Sequence, residues 1–394
     1  MRVILHSDLN NFFASVECLL NPRLRDVPLA VCGSQEKRHG IVLSKNEIAK
    51  RFGVKTAVPI WQAKQLCPNL VTIEPHHDLY IKYSRMVQKI YCQYTDLVEP
   101  FGIDECWLDV TESQVLFGDG EAMAYKIKER IKKEIGLTCS IGVSYNKVFA
   151  KLGSDMKKPD AVTVITPDDV VFKIFPLPCK QLLSVGGKVN GKLNDIGVYT
   201  IGDIASASPG VLENLLGKGG RTLWNYANGL DNSSVHKYSP EDNLKSVGNA
   251  MTTPTDLKTE EEARRLLFTL SESVGQRLRK YGLVGRTVQI TIKSSDFHTI
   301  ERQGQLEHPS NISSEIYQEA FNIFKHAWKW EKDIRLLGVR VTNLEPPEGA
   351  SQISLFTDKG HLKKEQIEHC LDKIKDKYGN GAVGRALMLE KKRS

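Results

Sequence analysis

The sequence predicts a multidomain α+β protein organised around a ferredoxin-like sheet with carboxylates at one end. Three stretches predict it. The apolar strand Val3-Ile4-Leu5 runs into His6-Ser7-Asp8 and then into a helical repeat at Phe12, Val16, Leu19 and Leu20. The stretch Phe101–Asp109, Phe-Gly-Ile-Asp-Glu-Cys-Trp-Leu-Asp, sets Asp104 and Glu105 between short apolar runs broken by Pro100 and Gly102, as in two strands meeting at a tight turn. The order strand, helix, hairpin, helix, strand then continues to residue 165, the pattern of a split βαβ sheet.

Carboxylates are costly to bury unless they are paired or bind a metal. Apolar neighbours surround this pair: Val98, Phe101 and Ile103 before it, Trp107, Leu108 and Val110 after it. Read alone, the stretch is better explained as an acidic surface turn. Asp8 shifts the balance, because it falls at the C-terminal end of a buried strand, a usual place for active-site residues in α/β sheets. If the first strand lies beside the hairpin, Asp8, Asp104 and Glu105 converge. Three carboxylates with few soft ligands suit hard divalent cations, Mg²⁺ first. Two such ions, roughly 3.5–4 Å apart, would stabilise the attacking and leaving oxygens of a phosphoryl displacement.

The 394 residues suffice for two to four domains, and the net charge of +7 permits a polyanionic partner. The eight Cys are scattered without a C-x-x-C pair, which predicts reduced thiols in a cytosolic protein, with Cys32 and Cys139 in the core. There is no signal-peptide pattern and no apolar run long enough to span a bilayer.

In chain order, residues 24–75 form a small inserted unit. Its strands are expected at Val27–Gly33 and Gly40–Ser44, its helices at Lys45–Arg51 and Trp61–Leu66. It carries Ser44, Lys45, Lys50, Arg51 and Lys55, which read equally as a solvated basic surface or as a triphosphate lid. Tyr80, Tyr83, Val87, Ile90 and Tyr94 mark an amphipathic helix over Asp78–Tyr94. After the hairpin, a helix is expected over Glu121–Ile135, a strand over Leu137–Val143, a helix capped by Asn146 and stopped by Pro159, and a strand over Ala161–Ile165. Lys147, Lys151, Lys157 and Lys158 load that last helix; such a run is usually a wet face, but this one leads out of the acidic sheet. From Pro176 the chain turns to short helices. Leu182–Lys188, with Gly186 and Gly187, resembles a helix-hairpin-helix whose backbone N–H groups can hold a DNA phosphate, although Ser184 stands where a glycine is usual; the alternative is a plain glycine turn in a small helical domain. Leu230–Leu244 reads as a polar linker. Residues 245–345 alternate helix (Glu260–Arg279, Ile312–Trp330) with strand (Thr287–Lys293, Leu336–Val341), fitting a four-stranded sheet backed by two helices. Ser246, Arg286, Lys293, Arg302 and Arg340 could meet phosphates there or simply face solvent. After Pro346-Pro347, Gln352-Ile353-Ser354-Leu355-Phe356 suits docking in a hydrophobic pocket, and a Lys-rich helix follows over His361–Tyr378.

Several of these stretches together are similar to a known family. Asp8-Leu9-Asn10-Asn11-Phe12-Phe13-Ala14-Ser15-Val16-Glu17, Ile103-Asp104-Glu105 with Leu108-Asp109, and Gly142-Val143-Ser144 to Asn146-Lys147 with Ala150-Lys151 resemble the Y-family translesion DNA polymerases of the bacterial polymerase IV type. Asp155-Met156, Lys158-Pro159 and the glycine hairpin extend the match in the same order over roughly residues 1–345. The resemblance implies a palm at 1–10 and 76–166, small fingers at 11–75, a helical thumb at 167–231, a linker at 232–244, a little finger at 245–345 and a tail at 346–394. It implies that Asp8 and Asp104 bridge two Mg²⁺ ions (Mn²⁺ as a substitute), that the Leu9 carbonyl completes a metal shell, and that Glu105 serves the ion at the primer 3′-OH. Phe13 becomes the steric gate against a ribose 2′-OH, and Phe12, Ser44, Lys50 and Lys158 the remaining dNTP contacts. Gly186, Gly187, Lys188, Ser246, Lys293 and Arg340 fall on primer–template DNA, and Gln352, Leu355 and Phe356 on a sliding clamp. The chain is then expected to be a monomer in the bacterial cytoplasm at the nucleoid, off the membrane, without proofreading. Many relatives have Tyr and Arg where this chain has Glu47 and Lys50, and Lys lacks the bidentate fork of Arg. Two rivals stay open on the residues alone: a nucleotidyl cyclase on the same sheet, and an inactive DNA-bound scaffold.

Overall fold

The computed structural model describes residues 1–34, 38, 40–237, 244–347, 359–379 and 381–385. Its chain divides into two compact units, Met1–Ser34 with Gly40–Ser239, and Pro240–Ser394 with Gln35–His39.

The first unit opens with β1 (Ile4–Leu9) and α1 (Phe12–Leu20). A small sheet follows, from β2 (Leu29–Cys32), β3 (Val42–Lys45) and β4 (Val71–Ile73), with α2 (Glu47–Arg51) and α3 (Ile60–Leu66) between. Then come α4 (His77–Tyr91), the hairpin β5 (Val98–Pro100) and β6 (Glu105–Asp109), one turn of α5 (Gln114–Phe117), α6 (Gly120–Ile135), β7 (Cys139–Ser144), α7 (Lys147–Met156) and β8 (Val162–Val164). The short helices α8 (Gly187–Asp195), α9 (Ile201–Ser206), α10 (Pro209–Leu216) and α11 (Lys218–Ala227) complete it.

The large sheet has the order β5-β6-β1-β7-β8. Its first four strands are the split βαβ arrangement, and β8 adds a parallel edge beside β7. Every residue of β1 and β7 is buried, as expected for central strands covered by helices. Ile127 and Ile131 of α6 and Tyr80, Val87 and Tyr91 of α4 fill the core against Leu5, Leu108 and Ile141. α7 rests directly on β7. A Cβ at Gly142 would lie 1.9 Å from the Ala150 carbonyl oxygen and 2.5 Å from the Ser154 nitrogen, so this crossing needs glycine. Asn146 caps α7 as expected, its side chain accepting from the Phe149 N–H.

The small sheet has the order β3-β2-β4. β4 has no counterpart among the elements expected from the sequence. At the glycine hairpin, Ser184 has φ +73°, the left-handed region that favours glycine, and α8 starts just beyond Gly186. Part of the expected linker is pinned down. Val235 is buried with Ile4, Trp107 and Ala150, and the His236 N–H donates to Glu99.

The second unit holds β9 (Ser246–Leu257), α12 (Glu260–Lys280), β10 (Val284–Ser294), β11 (Thr299–Ser310), α13 (Ser313–Ala327), β12 (Ile334–Glu345) and α14 (Lys359–Tyr378). Its sheet runs β11-β10-β12-β9 and packs against α12 and α13, the arrangement the sequence predicts. α12 begins with a capping box, Thr259 with Glu262, and carries acids in its first turn and bases in its last. The expected Lys-rich helix is α14. Arg279 of α12, 3% exposed at its side chain, ion-pairs with Glu368 at 3.2 Å and Asp372 at 2.6 Å on α14.

All eight Cys are free. Cys32 and Cys139 are buried as predicted, and burial pushes their thiols up to about 11 and about 12.

Candidate active site

The register of β1 against β6 places Asp8 opposite Glu105, and the Leu9 N–H donates to the Asp104 carbonyl oxygen at 3.0 Å. The backbones of the three acidic residues are therefore neighbours at one end of the sheet. Lys158 Nζ lies 2.7 Å from Asp8 Oδ2. Lys151 Nζ lies 2.9 Å from Glu105 Oε2 and 3.8 Å from Asp8 Oδ2, and Asp155 ties both lysines to α7 at 3.3 and 2.8 Å.

Charge is unevenly distributed. Burial, reinforced by Asp8 and Glu105, raises Asp104 to about 6. Burial also raises Asp8, against the pull of Lys158. At Glu105 burial acts upward too, but His6 and Lys151 outweigh it and hold the carboxyl down to about 2. His6, from the same face of β1 as Asp8, is buried, and that burial pulls its imidazole below the ordinary histidine value. Its Nδ1 lies 2.8 Å from Ser154 Oγ, and its Nε2 approaches Glu105 Oε2 at 3.3 Å without an aligned hydrogen bond.

Among the described residues, no three His, Cys, Asp or Glu side chains are drawn together as a metal-holding group. Lys151 and Lys158 stand between the carboxylates. The donor set nevertheless fits hard divalent cations: its groups are all oxygens, Glu105 Oε2 is buried without an aligned partner, and at Asp104 the pull of Lys151 is outweighed by burial and the two neighbouring carboxylates.

α1, which follows β1 after a two-residue turn, carries an aromatic group. Phe12 is buried in the core, so its ring is removed from any ligand. Phe13 is only partly buried and stacks on Tyr80, ring centroids 4.2 Å apart and planes 11° apart. Ser44 Oγ accepts from the Ala14 N–H at 3.4 Å, at the start of α1. Lys50 pairs with Glu47 one turn back at 3.4 Å, and Glu47 also accepts from Asn11 at 2.9 Å. Lys147, read with the wet face, is instead buried: it pairs with Glu99 at 2.6 Å and sits 4.5 Å from the Trp107 ring centroid.

Gly186, Gly187 and Lys188 lie at the N-terminus of α8, and no atom beyond their chain neighbours comes within 4 Å of a Cβ built on either glycine. In the second unit, Ser246 and Arg340 line one shallow depression with Arg277. Arg340 stands opposite Gln289, which is even-spaced with Lys293, so both bases belong to the sheet side away from the core. Arg302 stands opposite the core residue Ile290 and so falls on the other side. Gln352, Leu355 and Phe356 lie outside the described residues.

The sequence alone does not mark His6, Asp155, Glu17 or Tyr80 as site residues. The i, i+2 spacing of His6 and Asp8 on one strand was a usable signal. Lys151 and Lys158, seven apart, offered another.

Residues 7–155 match the impB/mucB/samB family and residues 244–355 match its C-terminal domain. A DNA polymerase IV of Acetivibrio thermocellus is 54% identical over 99% of this chain and 98% of its own length. DNA polymerase IV 1 of Bacillus subtilis is 38% identical over 100% of this chain and 94% of its own. The chain belongs to the Y-family DNA polymerases, of the DNA polymerase IV type. A solved Y-family DNA polymerase chimera superposes with a TM-score of 0.79 at 25% identity, covering 87% of this chain and 99% of the other. The enzyme is a DNA-directed DNA polymerase of the translesion class, which uses divalent metal ions, and the cyclase and scaffold readings fall away. Among the described residues no helix is long and apolar enough to cross a membrane.

Proposed function

We propose that this polymerase copies template DNA past damaged bases, moving the nucleotidyl group of a dNTP onto a primer 3′-OH by a two-metal route centred on Asp8, Asp104 and Glu105. The observation that carries the proposal is the β1–β6 register, which faces Asp8 with Glu105 and sets Asp104 at its side. Two Mg²⁺ ions, with Mn²⁺ as a substitute, would be held by Asp8, Asp104, Glu105 and the Leu9 carbonyl and would stabilise charge on the attacking and leaving oxygens.

The chain's own groups do the positioning. His6 and Lys151 keep Glu105 ionised. Lys158, held by Asp8 at 2.7 Å and Asp155 at 2.8 Å, supplies an ammonium for the triphosphate, joined by the Ser44 hydroxyl. Lys50 brings a charge already paired with Glu47 and lacks the bidentate fork of an Arg. Phe13 presents its ring to the sugar and excludes a 2′-OH. The α8 N-terminus at Gly186, Gly187 and Lys188 and the basic side of the second sheet at Ser246, Lys293 and Arg340 hold primer–template backbone without reading sequence. Gln352–Phe356 docks on a sliding clamp. The enzyme works as a monomer in the cytoplasm at the nucleoid, and, with no exonuclease-like segment in its sequence, it does not proofread.

Primer extension with Mg²⁺ and single dNTPs tests the chemistry. Asp104→Asn should lower the single-turnover rate by more than about 10²-fold, beyond the loss usual for a group one step removed from a metal. Extension near the wild-type rate would refute the assignment.

A further inference from the structure

We infer that Glu17 is a positioning residue for sugar selection, acting on the Phe13 ring through Tyr80. The inference rests on Phe13 being the ring that meets the nucleotide sugar. Glu17 is a carboxylate only 6% exposed that the proposed phosphoryl chemistry does not use. Buried carboxylates are retained where they are paired, and here both partners come from α4 or its start. Glu17 Oε1 accepts from the Tyr80 hydroxyl at 2.5 Å and lies 2.8 Å from His76 Nδ1. The Tyr80 ring, fully buried, is the one stacked on Phe13 at 4.2 Å, and His77 closes the edge of Phe13 at 5.8 Å and 88°.

These contacts form a closed circuit. Phe13 and Glu17 are four residues apart on α1, so they share a face one turn apart. Phe13 reaches Tyr80 by stacking, Tyr80 reaches Glu17 by its hydroxyl, and the helix returns to Phe13. Stacking is worth only about 0.5–1.5 kcal/mol beyond burial, a weak restraint on how the two rings are offset. The hydroxyl bond fixes the one coordinate that stacking leaves loose. That coordinate matters because a ring excludes a 2′-OH only while it cannot retreat. Sites hold their geometry to about 0.5 Å when the residues behind them are locked by packing and hydrogen bonds.

The test is single-nucleotide insertion by the full-length enzyme on primer–template with Mg²⁺, comparing kcat/KM for a dNTP and the rNTP of the same base. Tyr80→Phe and Glu17→Met should each lower the dNTP-over-rNTP ratio by about tenfold, through faster ribonucleotide insertion. The double variant should fall no further than either single one, because both break the same link. Glu17→Gln keeps an acceptor oxygen and should retain most of the ratio. Tyr80→Phe leaves no buried hydroxyl without a partner, so it remains readable even if Glu17→Met folds poorly. Phe13→Val reports on the gate separately. If Phe13→Val admits ribonucleotides while Tyr80→Phe and Glu17→Met keep the wild-type ratio, the inference is wrong and the gate survives. An equal drop for both sugars with the ratio intact also overturns it, leaving Glu17 a stability residue. If Phe13→Val leaves the ratio unchanged, the gate itself fails and the inference with it.

Discussion

Gly142→Ala separates the site's geometry from its chemistry, because it alters no charged or metal-facing group. The new methyl carbon would start 1.9 Å from the Ala150 carbonyl oxygen, where ordinary contact begins near 3.4 Å, so α7 must retreat by the difference, 3.4 − 1.9 = 1.5 Å. That helix carries Lys151, 2.9 Å from Glu105, and Ser154, 2.8 Å from His6, and it leads to Lys158, 2.7 Å from Asp8. A retreat of that size turns each contact into a separation beyond hydrogen-bond reach. Overpacking of this kind costs about 1–3 kcal/mol, and a 1 Å misplacement of a positioning group costs about 10²-fold in rate. The expected result is an earlier first thermal transition together with a single-turnover rate lowered by roughly that factor. Gly191→Ala is the control. It lies inside α8 with nothing within 4 Å of its Cβ, so it should gain up to about 1 kcal/mol from helix propensity and leave α7 alone. If Gly142→Ala melted and extended primers like the wild type, the claim that α7 sets the position of the lysines would be refuted.

Three further outcomes are expected. Asp104 is raised from 3.8 to about 6, so the folded state holds that proton more tightly than the unfolded chain; the stability this supplies is complete below pH 3.8 and is lost as pH rises through 6. With a chelator present, melting temperature should therefore fall across that window more steeply in the wild type than in Asp104→Asn, and parallel curves would contradict it. Arg279→Met removes the cation from between Glu368 and Asp372, and breaking a buried pair costs about 3–5 kcal/mol; limited proteolysis should then cut within α14 well before wild type does, whereas equal resistance would show that the pair is idle. Deleting Gln352–Phe356 should preserve unaided extension and abolish stimulation by a sliding clamp, and undiminished stimulation would rule out that peptide as the contact.

Much of the active site was legible because its parts obey local rules. Asp8 ends an apolar strand, Asp104 and Glu105 cap a hairpin, and the βαββαβ order leaves few ways to place them apart. The long helices and the strands of the second unit announced themselves by periodicity, as Val288, Ile290 and Ile292 show. What escaped depends on contacts distant in sequence. Glu17 meets Tyr80 across 63 residues, and His6 meets Ser154 across 148, with no periodicity to betray either. Lys147 looked like a solvated base because its fate depends on Trp107 and Glu99 lying under it. Ser184 in a left-handed conformation shows the converse, a position where turn geometry overrides residue preference.

The polar bolt between Arg279 and α14 changes where the second unit ends. Its sheet closes at Glu345, but a fragment stopped there would strand a guanidinium that the intact chain leaves only 3% exposed. Glu368 on the other side is equally dependent, since it also accepts from Ser313 and pairs with Arg385. What reads along the chain as an appendage is thus a keystone, and shortened versions of this polymerase should be trimmed beyond residue 385 and not at the last strand.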